Sequence, residues 1–334
     1  MMREIIFAFL VAFFLCIVIG PIIIPLLRKM KFGQQVRDDG PEKHLSKQGT
    51  PTIGGLIFII ALIATIFLFS KGSMEFAIMA MLITLGYGLI GFLDDFIKVK
   101  QTRSLGLRAY QKIIGQFGLA LVIAIWAKNN PFIGSELIIP WTDKTIDFGV
   151  LYIPFVMFCV IGFVNAVNLT DGLDGLASGV MLIDSTAYVV IFFILFVAQN
   201  NAGNNLYAAN LNSMAIFSAA SAGACLGFLR FNTYPARVFM GDTGSMAMGG
   251  MLCAMGIMSR SLLILPLLGI MYFVSALSVI LQVGSYKLRN KKRVFLMAPL
   301  HHHYELKGYP ETKIVSMYII ITIIACLLGV SAFL

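Results

Sequence analysis

Long apolar runs, separated by short polar or glycine- and proline-containing breaks, occupy most of this chain. Nearly every run is about the ~20 residues that carry a helix across ~30 Å of hydrocarbon. The pattern predicts ten spans, over residues 5–27, 53–70, 75–94, 113–128, 150–167, 176–198, 211–229, 242–258, 262–286 and 314–333. The least marked boundary is "MSRSLL", residues 258–263. A turn is required there, because a single helix through both runs would be about 44 residues and ~66 Å long, twice a bilayer. Pro21 and Pro25 are expected to kink the end of the first span, while Pro266 and Gly269 read equally as a break in the ninth or as close packing. The short alternating runs of residues 129–149 fit a small external β-hairpin.

Composition removes the soluble alternatives. With 59% hydrophobic and 12% charged residues and a mean hydropathy of +0.88, the chain has too little polar surface to wrap a core of this size. The expected fold class is all-α, a polytopic membrane protein of about ten transmembrane helices forming one integral-membrane unit over residues 1–334. The opening segment resembles a secretory leader only at its first few residues, because its apolar run is too long and ends in a basic cluster, so it reads as the first span. All five cysteines fall inside predicted spans, which excludes the disulfide framework of a small secreted domain.

The net charge of +9 does not point to nucleic acid, because in a membrane chain the placement of Lys and Arg matters more than their sum. Ten spans put 20 of the 25 basic residues in the loops of one face and five, Arg3, Lys71, Lys128, Lys144 and Arg260, on the other. The basic face is therefore expected in the cytoplasm, with both termini outside.

Four polar clusters fall on that same face: "LDDFIKVK" with Asp94 and Asp95, "NAVNLTDGLDG" with Asn165, Asn168, Asp171 and Asp174, "FNTYPARVFMGDTGS" with Asn232, Phe239, Gly241 and Asp242, and "PLHHHYELKGYPE" with His301, His302 and His303. A single acid at a helix end is usually a cap or a solvated boundary residue. Four distant clusters at one membrane face read instead as one site assembled between helices. Asp94 and Asp95 close a span at the negative end of its dipole, so a cation, Lys98, Lys112 or a bound metal, should compensate them. Asp171, Asp174 and Asp242 are expected near helix N-termini reached through glycines, where phosphates bind well. Acids beside phosphate cradles imply a bridging hard cation, Mg²⁺ or Mn²⁺. Lys47, Lys112 and Arg237 read, each taken alone, as loop charges of the basic face, and together as candidate partners for phosphate oxygens. Three consecutive histidines cannot turn their rings to one tetrahedral centre, which argues against zinc.

At these motifs the chain resembles the polyprenyl-phosphate N-acetylhexosamine-1-phosphate transferase superfamily over essentially its whole length. "APLHHHYELKGYPETKIV" is closest to the branch that uses a muramoyl-pentapeptide donor. Ile53 in "GTPTIGG" stands where that branch usually has Met. The resemblance implies transfer of phospho-MurNAc-pentapeptide from UDP-MurNAc-pentapeptide to undecaprenyl phosphate, with Mg²⁺, in the bacterial cytoplasmic membrane among its lipids; a homodimer is compatible with it. By the same resemblance Asp94 and Asp95 act on the acceptor phosphate, Asp242 binds the metal near the pyrophosphate, and Asn232 lies close to that metal. His301, His302 and His303 fall on the sugar-phosphate side, with His301 among the catalytic candidates. Lys47, Thr52, Asn168, Asp171, Asp174 and Phe239 line the uridine and ribose. A GlcNAc-1-phosphate transferase is the rival within the superfamily. A secondary transporter is the rival outside it, although only Asp184 sits deep in the predicted membrane and no repeat is visible.

Overall fold

The computed structural model describes residues 1–30, 49–69, 72–101, 106–142 and 144–334. In chain order the helices are α1 (Met2–Lys29), α2 (Gly55–Leu68), α3 (Glu75–Lys100), α4 (Ala109–Asn129), α5 (Tyr152–Thr170), α6 (Leu176–Asn201), α7 (Asn205–Asn232), α8 (Gly241–Met258), α9 (Leu265–Leu268), α10 (Ile270–Leu288), α11 (Leu300–Leu306) and α12 (Glu311–Val330). Between α4 and α5 the strands β1 (Glu136–Ile138) and β2 (Thr145–Asp147) pair antiparallel, with Leu137 opposite Ile146. This hairpin lies where the alternating runs predicted it. The Arg260 guanidinium braces it, donating to the Glu136 carbonyl at 3.0 Å and pairing with the Glu136 carboxylate at 2.8 Å.

Among the described residues, eight helices are long and apolar enough to cross a membrane, which makes the chain an all-α polytopic membrane protein. The two other expected spans fall short for different reasons. α2 has 14 residues, about 21 Å of helix. α8 is rich in glycine, methionine and hydroxyl residues, yet every residue from Thr243 to Met258 is buried. A helix surrounded by protein has no lipid-facing side that must be apolar.

α7 and α8 form the centre. α7 packs against α1, α2 and α6, and α8 against α3 and α5. Small residues set these distances, as expected where van der Waals packing drives helix association in lipid. A Cβ at Gly223 of α7 would collide with the backbone carbonyl of Phe9, and one at Gly249 of α8 would lie 2.6 Å from the Val164 Cα. The expected turn after α8 is present: Ser261 N–H returns to the Gly256 carbonyl at 2.9 Å, and Arg260 takes a left-handed backbone at φ 57°. The ninth span does break, at Gly269 between α9 and α10. α1 continues through Pro21 and Pro25 to Lys29.

Three boundary shifts bear on the site. α3 runs to Lys100, six residues past its predicted end, so Asp94 and Asp95 lie inside the helix and Lys98 stands one turn beyond them. α5 extends to Thr170, which makes Asp171 its C-cap and places it at the end of a helix instead of the start of the next. The histidine segment, read as loop, forms the short helix α11.

Candidate active site

The site is built where α3, α4, α5 and α8 meet. Asp95 accepts hydrogen bonds from the backbone N–H of Asp242 at 3.2 Å, from Thr243 N–H at 2.8 Å and from the Thr243 hydroxyl at 2.8 Å. It thus caps the N-terminus of α8 from a neighbouring helix, satisfying amides that no residue of α8 itself reaches. Its negative charge meets the positive end of α8, which offsets its cost within α3. Asp94, about 100° around the helix, accepts from Leu107 N–H at 2.8 Å and pairs with the Lys98 ammonium at 2.6 Å, which also lies 3.8 Å from Asp95 Oδ1.

Asp242 joins the two sides. Its Oδ2 lies 3.0 Å from Lys98 Nζ and 2.9 Å from Lys112 Nζ, while its Oδ1 accepts from Asn168 Nδ2 at 2.8 Å. Asn168 is also bonded to Ser245 Oγ at 2.8 Å. Asp94, Asp95 and Asp242 each offer an oxygen within 4.8 Å of the others. Three carboxylates so close repel, and the two ammonium groups among them offset that repulsion. Hard oxygen donors at this spacing fit a divalent cation such as Mg²⁺. Asp94 and Asp242 are the carboxylates that could hold it, because Asp95 is committed to α8.

Gly241 and Thr52 lie against this cluster. A Cβ on Gly241, whose φ is +71°, would sit 2.5 Å from Asp95 Oδ2 and 2.8 Å from Thr52 Oγ1, so only glycine lets the "GTPTIGG" segment approach. Ile53 takes the left-handed region at φ 67°, a strained conformation for a β-branched residue that costs on the order of 1–3 kcal/mol. It is held by backbone bonds between Phe239 N–H and Pro51 O at 2.8 Å and between Gly54 N–H and Phe239 O at 2.8 Å. Half-buried Phe239 is therefore locked beside Thr52. Lys47 lies outside the described residues.

Other predicted residues hold the frame. Asn165 exchanges amide bonds with Gln116 of α4 at 2.8 and 3.3 Å, below the carboxylates. Asn232 is 2% exposed, accepting from Ser178 Oγ at 2.9 Å and donating to Val238 O at 3.1 Å. Those bonds turn the amide into the protein and brace the segment leading to Gly241. Asp174 is 5% exposed and accepts from Ala236 N–H at 2.9 Å, fixing the same segment. Asp171, by contrast, is half-buried. Burial, then the charges of Asp242, Asp95 and Asp174, raise its pKa well above the ordinary carboxylate value.

The three histidines diverge, as consecutive residues on a helix must. His301 is fully buried, and its ring fills the space a Cβ on Gly172 would take, which seats α11 on the "TDGLDG" turn beside Asp171. His302 Nδ1 lies 2.6 Å from Glu305 Oε2. His303 Nδ1 accepts from Leu296 N–H at 3.1 Å, which requires a neutral ring; burial and then Lys307 hold its pKa below the ordinary imidazole value.

This geometry, carboxylates interleaved with ammonium groups at converging helix ends, suits phosphoryl chemistry. The model of glycosyl transferase family 4 matches residues 77–260, the stretch holding Asp94, Asp95, Asn168, Asp171 and Asp242. The phospho-N-acetylmuramoyl-pentapeptide-transferase of Clostridioides difficile (strain 630) is 52% identical over 329 residues, 98% of each chain. The chain belongs to the phospho-N-acetylmuramoyl-pentapeptide-transferase family. Further members similar to it are those of Thermoanaerobacter sp. (strain X514), 49% identical with 98% of each chain covered, and Desulfitobacterium hafniense (strain DSM 10664 / DCB-2), 47% identical with 100% of this chain and 98% of that one covered. The family model ends before α11, so the histidines lie outside it and inside the full-length matches.

Residues that sequence reasoning left out of this transferase site are Thr243, Ser245 and Gln116. Lys98 was visible only as one of several counter-ions, because its role depends on α3 continuing past Asp95. The other three carry no sequence signal beyond their neighbours.

Proposed function

We propose that this transferase moves phospho-MurNAc-pentapeptide from UDP-MurNAc-pentapeptide to undecaprenyl phosphate, forming the first lipid-linked peptidoglycan intermediate and releasing UMP at the cytoplasmic face. The observation that carries the mechanism is the set of Asp94, Asp95 and Asp242 within 4.8 Å of one another, threaded by Lys98 and Lys112. Helix ends at headgroup depth serve a soluble nucleotide donor and a lipid whose phosphate cannot leave the membrane surface. The concentration of basic residues on that side supports its cytoplasmic placement.

In this reading an oxygen of the acceptor phosphate attacks the β-phosphorus in line. The bond from that phosphorus to the bridging oxygen breaks, and UMP leaves with the oxygen. The second pKa of a phosphate monoester is about 6, so the acceptor is largely a dianion at neutral pH and a general base adds little. Lys98 and Lys112, which pair with Asp242 in the free enzyme, turn to the pyrophosphate and acceptor oxygens and neutralise their charge. Asp95 fixes the start of α8 and so the position of Asp242. Asp94 and Asp242 would hold Mg²⁺, which would withdraw charge from phosphate oxygens as a Lewis acid. Asn168 orients Asp242, and Phe239 offers an aromatic face to the uracil.

The test uses the full chain in neutral detergent with undecaprenyl phosphate and either UDP-MurNAc-pentapeptide or UDP-GlcNAc, following UMP. Release with the muramoyl donor, its loss in EDTA and recovery with Mg²⁺ are expected. Preference for UDP-GlcNAc would transfer the chain to the rival substrate class, and full activity in EDTA would remove the metal. A stoichiometric burst of UMP without acceptor would replace direct attack by a phosphorylated enzyme.

A further inference from the structure

The turn that follows α10 carries a feature the transfer reaction does not use. Residues 286–294 are all exposed, and within them Lys287, Arg289, Lys291, Lys292 and Arg293 crowd five positive charges into seven residues. Among the described residues none of the five forms an ion pair with an acid. Such a run of like charges repels itself and favours dispersal.

The protein nevertheless builds it into a defined shape. Gln282 of α10 accepts the backbone N–H groups of Val294 and Phe295 at 3.0 and 2.9 Å, and donates to the Phe295 carbonyl at 2.9 Å. Ser285 Oγ donates to the Lys292 carbonyl at 2.9 Å, and Asn290 and Lys291 take left-handed backbone at φ 48° and 66°. These constraints fold the chain back against the end of α10. Leu288, 87% exposed, Val294 and Leu296 project from the same turn.

α10 is a 19-residue membrane span, so this turn begins where hydrocarbon gives way to headgroups. At that depth apolar side chains meet acyl chains and cations meet phosphates. We propose that the turn is a docking site for the phosphate headgroups of anionic phospholipids in the adjoining leaflet, with Leu288, Val294 and Leu296 inserted beside them. Cation clusters next to a span bind anionic lipid with ~1 kcal/mol for each Lys or Arg, close to fivefold apiece. The bond from Leu296 N–H to His303 connects the turn to α11, which rests on Gly172 at the active site. Lipid bound at the turn therefore steadies α11.

Binding is measured on the full chain in neutral detergent, titrated with short-chain phosphatidylglycerol, phosphatidylcholine or inorganic phosphate, for the wild type and for K287Q/R289Q/K291Q/K292Q. The wild type should bind phosphatidylglycerol with an affinity that falls steeply with salt, and the variant on the order of 600-fold more weakly. Inorganic phosphate should not compete. UMP release in neutral detergent should be equal for the two proteins, and added phosphatidylglycerol should speed only the wild type. Equal phosphatidylglycerol affinity in wild type and variant overturns the proposal. So does inorganic phosphate that binds as well as the lipid, which would make the turn a site for free anions. If the fourfold variant unfolds earlier in detergent, K291Q/K292Q takes its place under the same criteria, with about 25-fold weakening expected.

Discussion

Gly91 of α3 offers the sharpest test of how the site is held. It lies one turn before Asp95, on the side of α3 that faces α8, and a Cβ there would run into the Asp242 backbone carbonyl and stand 2.7 Å from Thr243 N. Both obstacles are backbone, so no rotamer change relieves the clash. Ordinary Cβ contacts begin at 3.4 Å, so in Gly91→Ala the two helices must part by at least about 0.7 Å, and by more against the carbonyl. That movement opens the bonds from Asp242 N–H and Thr243 N–H to Asp95, now 3.2 and 2.8 Å, and carries Asp242 away from Lys98 and Lys112. Misplacing a catalytic group by ~1 Å costs on the order of 100-fold in rate, and overpacking of this kind costs about 1–3 kcal/mol in stability. Turnover is read as UMP release at saturating donor. Unfolding is followed with a thiol-reactive dye, since all five cysteines are free and buried. Gly118→Ala on α4, where a Cβ meets open space, is the control and should leave both readouts near the wild type. If Gly91→Ala keeps more than about a third of wild-type turnover, the α3–α8 approach does not set the geometry of Asp242.

Other parts of the site give distinct expectations. Asp171→Asn should raise the unfolding midpoint of the free enzyme, with a gain that grows as pH rises from about 4 towards 8, because the raised pKa of Asp171 makes the folded state hold a proton the unfolded chain releases; a gain that is flat with pH would show that Asp171 is not electrostatically strained. Lys98→Met removes the cation shared by Asp94 and Asp242, so the free enzyme should melt earlier and gain more from added Mg²⁺ than the wild type, alongside slower transfer; an unchanged Mg²⁺ increment would contradict that account. Gly172→Ala should displace His301 and lift α11, seen as faster amide hydrogen exchange over residues 300–306. Unaltered exchange there would mean that His301 does not anchor the helix.

The sequence by itself determined the class of protein and the neighbourhood of its chemistry. Apolar runs of membrane-crossing length need no tertiary information, because each helix satisfies its own backbone and meets lipid along its side. That reasoning placed the β-hairpin and the turn after Met258. It missed where helical runs extend past their apolar stretch, since polar residues at a membrane surface continue a helix at no cost that hydropathy records. The six extra residues of α3 are the telling case: they turn Asp94 and Asp95 from terminal acids into a helical pair with Lys98 a turn away. Division of labour among like residues was also invisible. Asp95 caps α8, Asp174 and Asn232 brace the segment before Gly241, and Asp171 is left among its fellow acids. Those assignments depend on which amides and carbonyls lie within ~3 Å, a property of packing between segments as far as 148 residues apart in sequence, and only the tertiary structure decides it.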